Sequence, residues 1–251
     1  MEISLKGKTA VVTGGANGLS YDIAKGFFEA GAEVCLVDIA PNIEEAASSI
    51  SESRPVKFYK CNLANLEQLP QDYAKISELC EGGIDILFNG AGVQYREKAV
   101  DFPLDKWKFI MDINLNAIFV LSQLVGRDML KRKFGRIINM ASMTSFFGSV
   151  MVPAYSASKG AVAQLTKALS NEWAAGGVTV NAIAPGYMIT KLTADMKDKS
   201  PAQYAEITNR IPAGRWGDGK DLRGLAVFLA SDYASYITGA IIPVDGGFLA
   251  K

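Results

Sequence analysis

Apolar positions in this chain come in blocks. Seven short runs rich in β-branched residues carry few polar side chains: TAVVT (9–13), EVCLVDI (33–39), VKFYKC (56–61), IDILFN (84–89), RIINMA (136–141), VTVNAI (178–183) and AIIPV (240–244). Runs of that length and composition read as strands buried on both faces. Between them lie longer stretches with a helical apolar period: DIAKGFFEAG (22–31), closed by Gly31 as a natural C′ residue, DKWKFIMDINLNAIFVLSQLVGRDML (105–130) and PAYSASKGAVAQLTKALSNEWA (153–174). The alternation breaks once. Residues 187–211 are polar, contain Pro201 and hold no strand, so they read as a helical flap over a site or as an ordinary surface insertion.

Strand and helix alternate without linker or low-complexity sequence, which predicts an α/β fold. It is a doubly wound, Rossmann-like domain over 1–251, with a parallel sheet, helices on both faces and ligands at the carboxyl ends of the strands. A chain of 251 residues, 49% hydrophobic and 21% charged, can bury one large core of that kind. Lys+Arg and Asp+Glu number 26 each, which leaves no basic stripe for nucleic acid or a membrane surface. The start MEISLKGKTAVV lacks the apolar core of a secretory signal, and no apolar run reaches the roughly 18 residues of a membrane span. Three cysteines without metal spacing (Cys35, Cys61, Cys80) read as small buried residues in a reducing cytoplasm. The absence of histidine excludes Ser-His-Asp and Cys-His hydrolysis and imidazole metal sites. Proton chemistry near neutral pH then falls to carboxylates, tyrosine, lysine or cysteine.

The first strand runs into TGGANGLS (13–20). Gly14 and Gly18 allow a tight turn and a close backbone approach to a pyrophosphate seated on the following helix N-terminus. Asp38 stands 20 residues past Gly18 at the end of the second strand. A carboxylate there accepts ribose hydroxyls and repels a 2′-phosphate, and Gly15, Ala16, Ile39 and Ala40 supply no compensating cation. The expected cofactor is NAD.

Three Tyr–Lys pairs have i, i+4 spacing: Tyr21–Lys25, Tyr155–Lys159 and Tyr187–Lys191. On a helix such pairs share a face, and an ammonium beside a phenol is expected to bring its proton exchange toward neutral pH. Sequence context separates them. TGGANGLS, CNL (61–63), NGAG (89–92), Asn114, Ser142, Tyr155, Lys159, PGYMIT (185–190) and VDGG (244–247) resemble, in order and spacing over the whole chain, the short-chain dehydrogenases/reductases. That resemblance implies a seven-stranded Rossmann sheet, assembly as a homotetramer or homodimer, and a catalytic tetrad of Asn114, Ser142, Tyr155 and Lys159. It also implies cofactor contacts at Gly14, Asn17, Gly18, Leu19, Asn62, Leu63, Asn89, Gly90, Ala91, Gly92, Pro185, Gly186, Met188 and Thr190. Three positions depart from the family pattern: Asn62 where Asp is more frequent, Gly90 where Asn is frequent, and Ser20 in place of the last loop glycine.

Within the family, YREKA (95–99), MASMTSFFGSVMVPAYSASK (140–159), NEWA (171–174), IPAGRWG (211–217) and VDGGFLA (244–250) are most similar to the sugar-acid dehydrogenases of uronate breakdown. The implied substrate is 2-dehydro-3-deoxy-D-gluconate or a related deoxy-uronate product, contacted by Arg96, Ser142, Tyr155 and Tyr187. Arg96 could fork onto a substrate carboxylate, or pair with Glu97 at the surface. The alternatives are reduction of a neutral sugar, a polyol or a 3-oxoacyl thioester, and a non-catalytic NAD-binding sensor.

Overall fold

The computed structural model describes residues 3–51, 54–81, 83–190, 193 and 195–251. The strands are β1 (Thr9–Thr13), β2 (Glu33–Asp38), β3 (Lys57–Lys60), β4 (Ile86–Asn89), β5 (Gly135–Met140), β6 (Val178–Pro185) and β7 (Ile241–Val244). They form one sheet in the order β3-β2-β1-β4-β5-β6-β7, and every pairing is parallel. These are the seven expected runs, with ends shifted by a few residues. Central β5 and β6 are buried throughout, which is why their sequences show no alternation. Edge strand β3 does alternate in exposure.

Helices α1 (Gly18–Glu29), α2 (Ile43–Ile50) and α9 (Gly219–Ala230) cover one face, packing with Val12, Leu36 and Phe88. On the other face α3 (Leu69–Leu79), α5 (Ala117–Arg132) and α6 (Pro153–Trp173) pack with Val11, Val37, Leu87 and Ile137. Phe27 of α1 meets Phe88 of β4 edge-on at 6.3 Å, and truncating either ring costs about 3–5 kcal/mol. The three cysteines are free and buried.

The chain crosses from one side of β1 to the other between β3 and β4. That makes the carboxyl ends of β1 and β4 the switch point of the sheet, where doubly wound folds place their ligand crevice.

The stretch expected as one helix over 105–130 is not a single α-helix. α4 (Leu104–Met111) passes into a π-helical turn, Asp112–Asn116, before α5 begins. One extra residue in that turn rotates the side chains that follow, and Asn114 is fully buried as a result. Leu104–Arg132 is long and apolar enough to cross a membrane by composition. Here its apolar stripe, including Ile110, Leu121, Val125 and Met129, is buried in the protein.

Among the described residues of 187–211 lie two helices, α7 (Met196–Lys199) and α8 (Pro201–Asn209); Lys191, which completes the Tyr187 pair, falls outside the described residues. Tyr204 of α8 stacks on Trp216 at 4.9 Å, and Trp216 Nε1 donates to Thr208 Oγ1 at 3.0 Å.

Candidate active site

Gly14 follows β1 with φ +69°, and a Cβ there would lie 2.8 Å from Ala91 Cα. Only glycine lets the turns after β1 and β4 approach so closely. Gly18 opens α1 at φ +60° in open space, so its requirement is conformational rather than steric. Thr13 ties the two turns together: its hydroxyl accepts from Gly90 N at 3.0 Å and Ala91 N at 3.2 Å.

Gly90 and Ser20, both departures from the family pattern, turn out to be neighbours. A Cβ at Gly90 would overlap the Ser20 hydroxyl and lie 2.5 Å from the Phe88 ring. The space a side chain at 90 would need is already taken.

Below these turns lies a cavity of about 800 Å³, within the range of ligand sites. Its wall includes Gly14, Asn17, Gly18, Leu19, Asp38, Asn62, Leu63, Gly90, Ala91, Gly92, Tyr155, Lys159 and Thr190, together with Ser20, Ile39, Cys61, Ala64, Val93, Gln94, Phe109, Ile113 and Met140. Asp38 is pinned at one side. Its Oδ2 accepts from Ala16 N at 3.0 Å and its Oδ1 from Ala40 N at 3.0 Å. Asn62 is exposed and caps its own turn, with Oδ1 accepting from Ala64 N at 3.1 Å.

Pro153 starts α6, and Tyr155 and Lys159 follow one turn apart, both on the cavity wall. Lys159 is 2% exposed and donates from Nζ to the Met140 carbonyl at 2.6 Å. Burial pushes its ammonium down to about 8. The expected lowering of Tyr155 by Lys159 does not appear. Burial raises the phenol above its ordinary value, and a hydrogen bond with Ser142 pulls it the other way. Lys159 Nζ sits 5.6 Å from the ring centroid and is already engaged by Met140.

Ser142 follows β5 and caps the 3₁₀ turn Met143–Ser145, its Oγ accepting from Thr144 N at 3.1 Å. Ser145 Oγ then donates to the Lys159 carbonyl at 2.7 Å, locking that turn onto α6. From the π-turn, Asn114 clamps the loop after β4: Oδ1 accepts from Val93 N at 2.8 Å and Nδ2 donates to Val93 O at 2.9 Å.

Other sequence candidates lie off the cavity wall. Asn89 points into the sheet, where Nδ2 donates to Asn139 Oδ1 at 2.9 Å and Ser122 Oγ at 3.1 Å. Pro185 ends β6, and Gly186 donates to Val244 O at 3.0 Å where a Cβ would lie 2.7 Å from Asp245. Met188 is buried and bridges to Gly217, so it supports the adjoining segment while Thr190 reaches the wall. Tyr187 packs between Trp216 (5.2 Å) and Phe248 (5.5 Å). Arg96 is exposed on the loop after β4, and Glu97 Oε1 accepts instead from Lys98 N at 2.8 Å. Tyr21 reaches Ser49 Oγ at 2.8 Å, away from this cluster. Val93, Phe109 and Ile113 carry no sequence signal of a site; only the arrangement of strand ends and helices brings them to the wall.

Known proteins resemble this chain over its whole length. Residues 14–249 match a family model described as enoyl-(acyl carrier protein) reductase. The chain is 46% identical over 249 residues to 2-dehydro-3-deoxy-D-gluconate 5-dehydrogenase of Bacillus subtilis, covering 99% of this chain and 97% of that one. It superposes with a TM-score of 0.93, at 44% identity and full coverage of both chains, on the crystal structure of a putative NAD(P)-dependent gluconate 5-dehydrogenase from Beutenbergia cavernae with bound NADP. A gluconate 5-dehydrogenase from Burkholderia cenocepacia, solved with NADP and tartrate, is 34% identical with a TM-score of 0.91, covering 100% of this chain and 98% of that one.

Proposed function

The chain belongs to the short-chain dehydrogenase/reductase family, and from that premise we propose that it interconverts a secondary alcohol and a ketone on a sugar acid with NAD(H). The substrate on this reading is 2-dehydro-3-deoxy-D-gluconate or a related deoxy-uronate product, as the similarity to the Bacillus subtilis enzyme supports. One observation carries the proposal: Tyr155 and Lys159 line the same cavity as Gly14, Gly18 and Asp38.

The wall fits a dinucleotide. Gly14, Gly18 and Leu19 offer backbone at the N-terminus of α1 for a pyrophosphate, with Asn17 beside them. Asp38 would accept the adenosine ribose hydroxyls, and Asn62 and Leu63 would flank adenine. Ala91, Gly92 and Thr190 would border the nicotinamide half, with Pro185, Gly186 and Met188 shaping the backbone that presents Thr190. Asn89 would act from behind, by holding the end of β4. Asp38 is the ground for NAD over NADP, because a fixed carboxylate opposes a 2′-phosphate.

When bound, nicotinamide supplies or takes up the hydride. The protein handles the proton and the charge. Tyr155 exchanges the proton of the substrate oxygen, and Ser142 donates a hydrogen bond to that oxygen as charge develops on it. Lys159 would hold a cofactor ribose hydroxyl and keep a positive charge behind the phenol. Asn114 orders a water between Lys159 and solvent. Arg96 is the cation for the substrate carboxylate, and 187–211, including Tyr187, closes over the sugar.

We further read the protein as cytoplasmic and as a homotetramer or homodimer, a state to which the exposed Leu104, Phe109 and Phe119 on α4 and α5 would contribute apolar surface.

The test mixes the protein with NAD and a panel of deoxy-sugar acids, neutral sugars and polyols while NADH absorbance is followed; 3-oxoacyl thioesters are offered with NADH. Turnover confined to sugar acids is the expected result, and turnover of another class alone would replace the substrate. No turnover of any, with NAD bound, would leave a sensor. Tyr155→Phe should cut kcat by about a thousandfold or more while NAD still binds.

A further inference from the structure

Ser158 immediately precedes Lys159 on α6 and is fully buried. A serine hydroxyl has one proton to give. Ser158 gives it to the Tyr155 carbonyl at 2.8 Å, so toward Asn114 it can only accept, and it does so from Nδ2 at 3.2 Å. The second Nδ2 proton goes to Val93 O and the amide oxygen receives Val93 N–H. Reversing the amide would set oxygen against the Val93 carbonyl and NH₂ against the Val93 amide. The orientation is therefore fixed from two sides.

We propose that Ser158 is a positioning residue for this chemistry: it turns the oxygen, rather than the amino group, of the Asn114 amide toward Lys159. A Cβ built on Gly92 would lie 3.4 Å from Asn114 Oδ1 and 3.7 Å from Lys159 Nζ, so the two atoms face one point. An acceptor there can share a water with an ammonium across that point. An NH₂ group there would oppose it. The π-turn brings Asn114 within reach, and Ser158 with Val93 sets which end is presented.

Of the other groups around Lys159, the Met140 carbonyl takes one ammonium proton and leaves the others for an acceptor on the Asn114 side. Tyr155 lies on its own helix, β5 supplies the Met140 carbonyl, and the turn after β5 supplies uncharged Ser142 and Ser145. Asp112 of the π-turn is bonded by Asn116 Nδ2 at 2.8 Å, and Asp38 and Cys61 are the remaining titratable groups on the cavity wall.

This inference rests on the catalytic reading above, and its test separates the two. Ser158→Ala removes one of the two sides that fix the amide and leaves Val93 to hold it alone. The expected result is a fall in kcat of about tenfold, with KM for NAD within about twofold and the pH–rate profile of kcat displaced to lower pH because the ammonium loses an acceptor. Ser158→Cys keeps a weak acceptor of similar size, should fall between, and carries the same readouts if the alanine variant does not fold. An unchanged kcat and profile would overturn the proposal. So would losses of kcat, NAD affinity and melting temperature in step with an unmoved profile, which mark a packing role. Full turnover by Tyr155→Phe would instead remove the catalytic reading itself.

Discussion

The hydroxyl of Ser20 on α1 occupies the space into which any side chain at Gly90, after β4, would project. The two positions are one steric unit, so substitutions there should not be additive. Gly90→Asn alone should destabilise the fold by about 1–3 kcal/mol through overpacking and weaken NAD binding, and Ser20→Gly alone should change little. The double variant should recover part of the loss, the remainder being owed to the Phe88 ring. A urea-melt double-mutant cycle checks this; zero coupling energy would show that the loop simply moves aside.

Asp38 should set cofactor preference. Asp38→Ser is expected to raise the ratio of kcat/KM for NADP to that for NAD by about tenfold or more. The same change leaves the Ala16 and Ala40 amides without their anionic acceptor, at a cost of about 1–3 kcal/mol seen as a lower Tm. Equal losses with both cofactors would make the carboxylate purely a loop anchor.

The Lys159 ammonium titrates at about 8 against an ordinary 10.5 because it is buried. Between those pH values the unfolded chain binds the proton more tightly, so native stability from this group rises with pH across the window. Lys159→Met should be inactive yet more stable at pH 7, by on the order of 2 kcal/mol after the lost bond to Met140 O is counted. The gain should vanish as pH approaches 10.5. Thermal melts of both proteins at the two ends of the window decide it, and a pH-independent difference would contradict it.

Arg96 is exposed with Glu97 turned to Lys98, so it is available to an acidic ligand. Arg96→Ala should raise KM for sugar acids by about tenfold and leave neutral substrates unaffected. Initial rates on a paired acid and alcohol test this, and unchanged KM for the acid would place the carboxylate elsewhere.

Much was legible before any coordinates. Seven apolar runs became seven strands, because a strand buried on both faces has to be apolar along its whole length. Gly14 was readable as well, since only glycine suits a positive φ against the backbone of a neighbouring turn. Tyr155 and Lys159 were separable from the other Tyr–Lys pairs by the order of motifs around them.

Other features depend on groups far apart in the chain. The π-turn at Asn114 was hidden, because one inserted residue leaves an apolar helical period almost intact over a short window. That Ser20 answers Gly90, that Ser158 holds Asn114, and that Asn89 turns inward to Asn139 were equally invisible, because each partner lies dozens of residues away. The direction of the Tyr155 shift also came from the fold: i, i+4 spacing places an ammonium near a phenol, but only the packed surroundings determine how much solvation each loses. Local pattern determined the elements and their order. Tertiary packing decided which polar atoms meet and what their burial does to their protons.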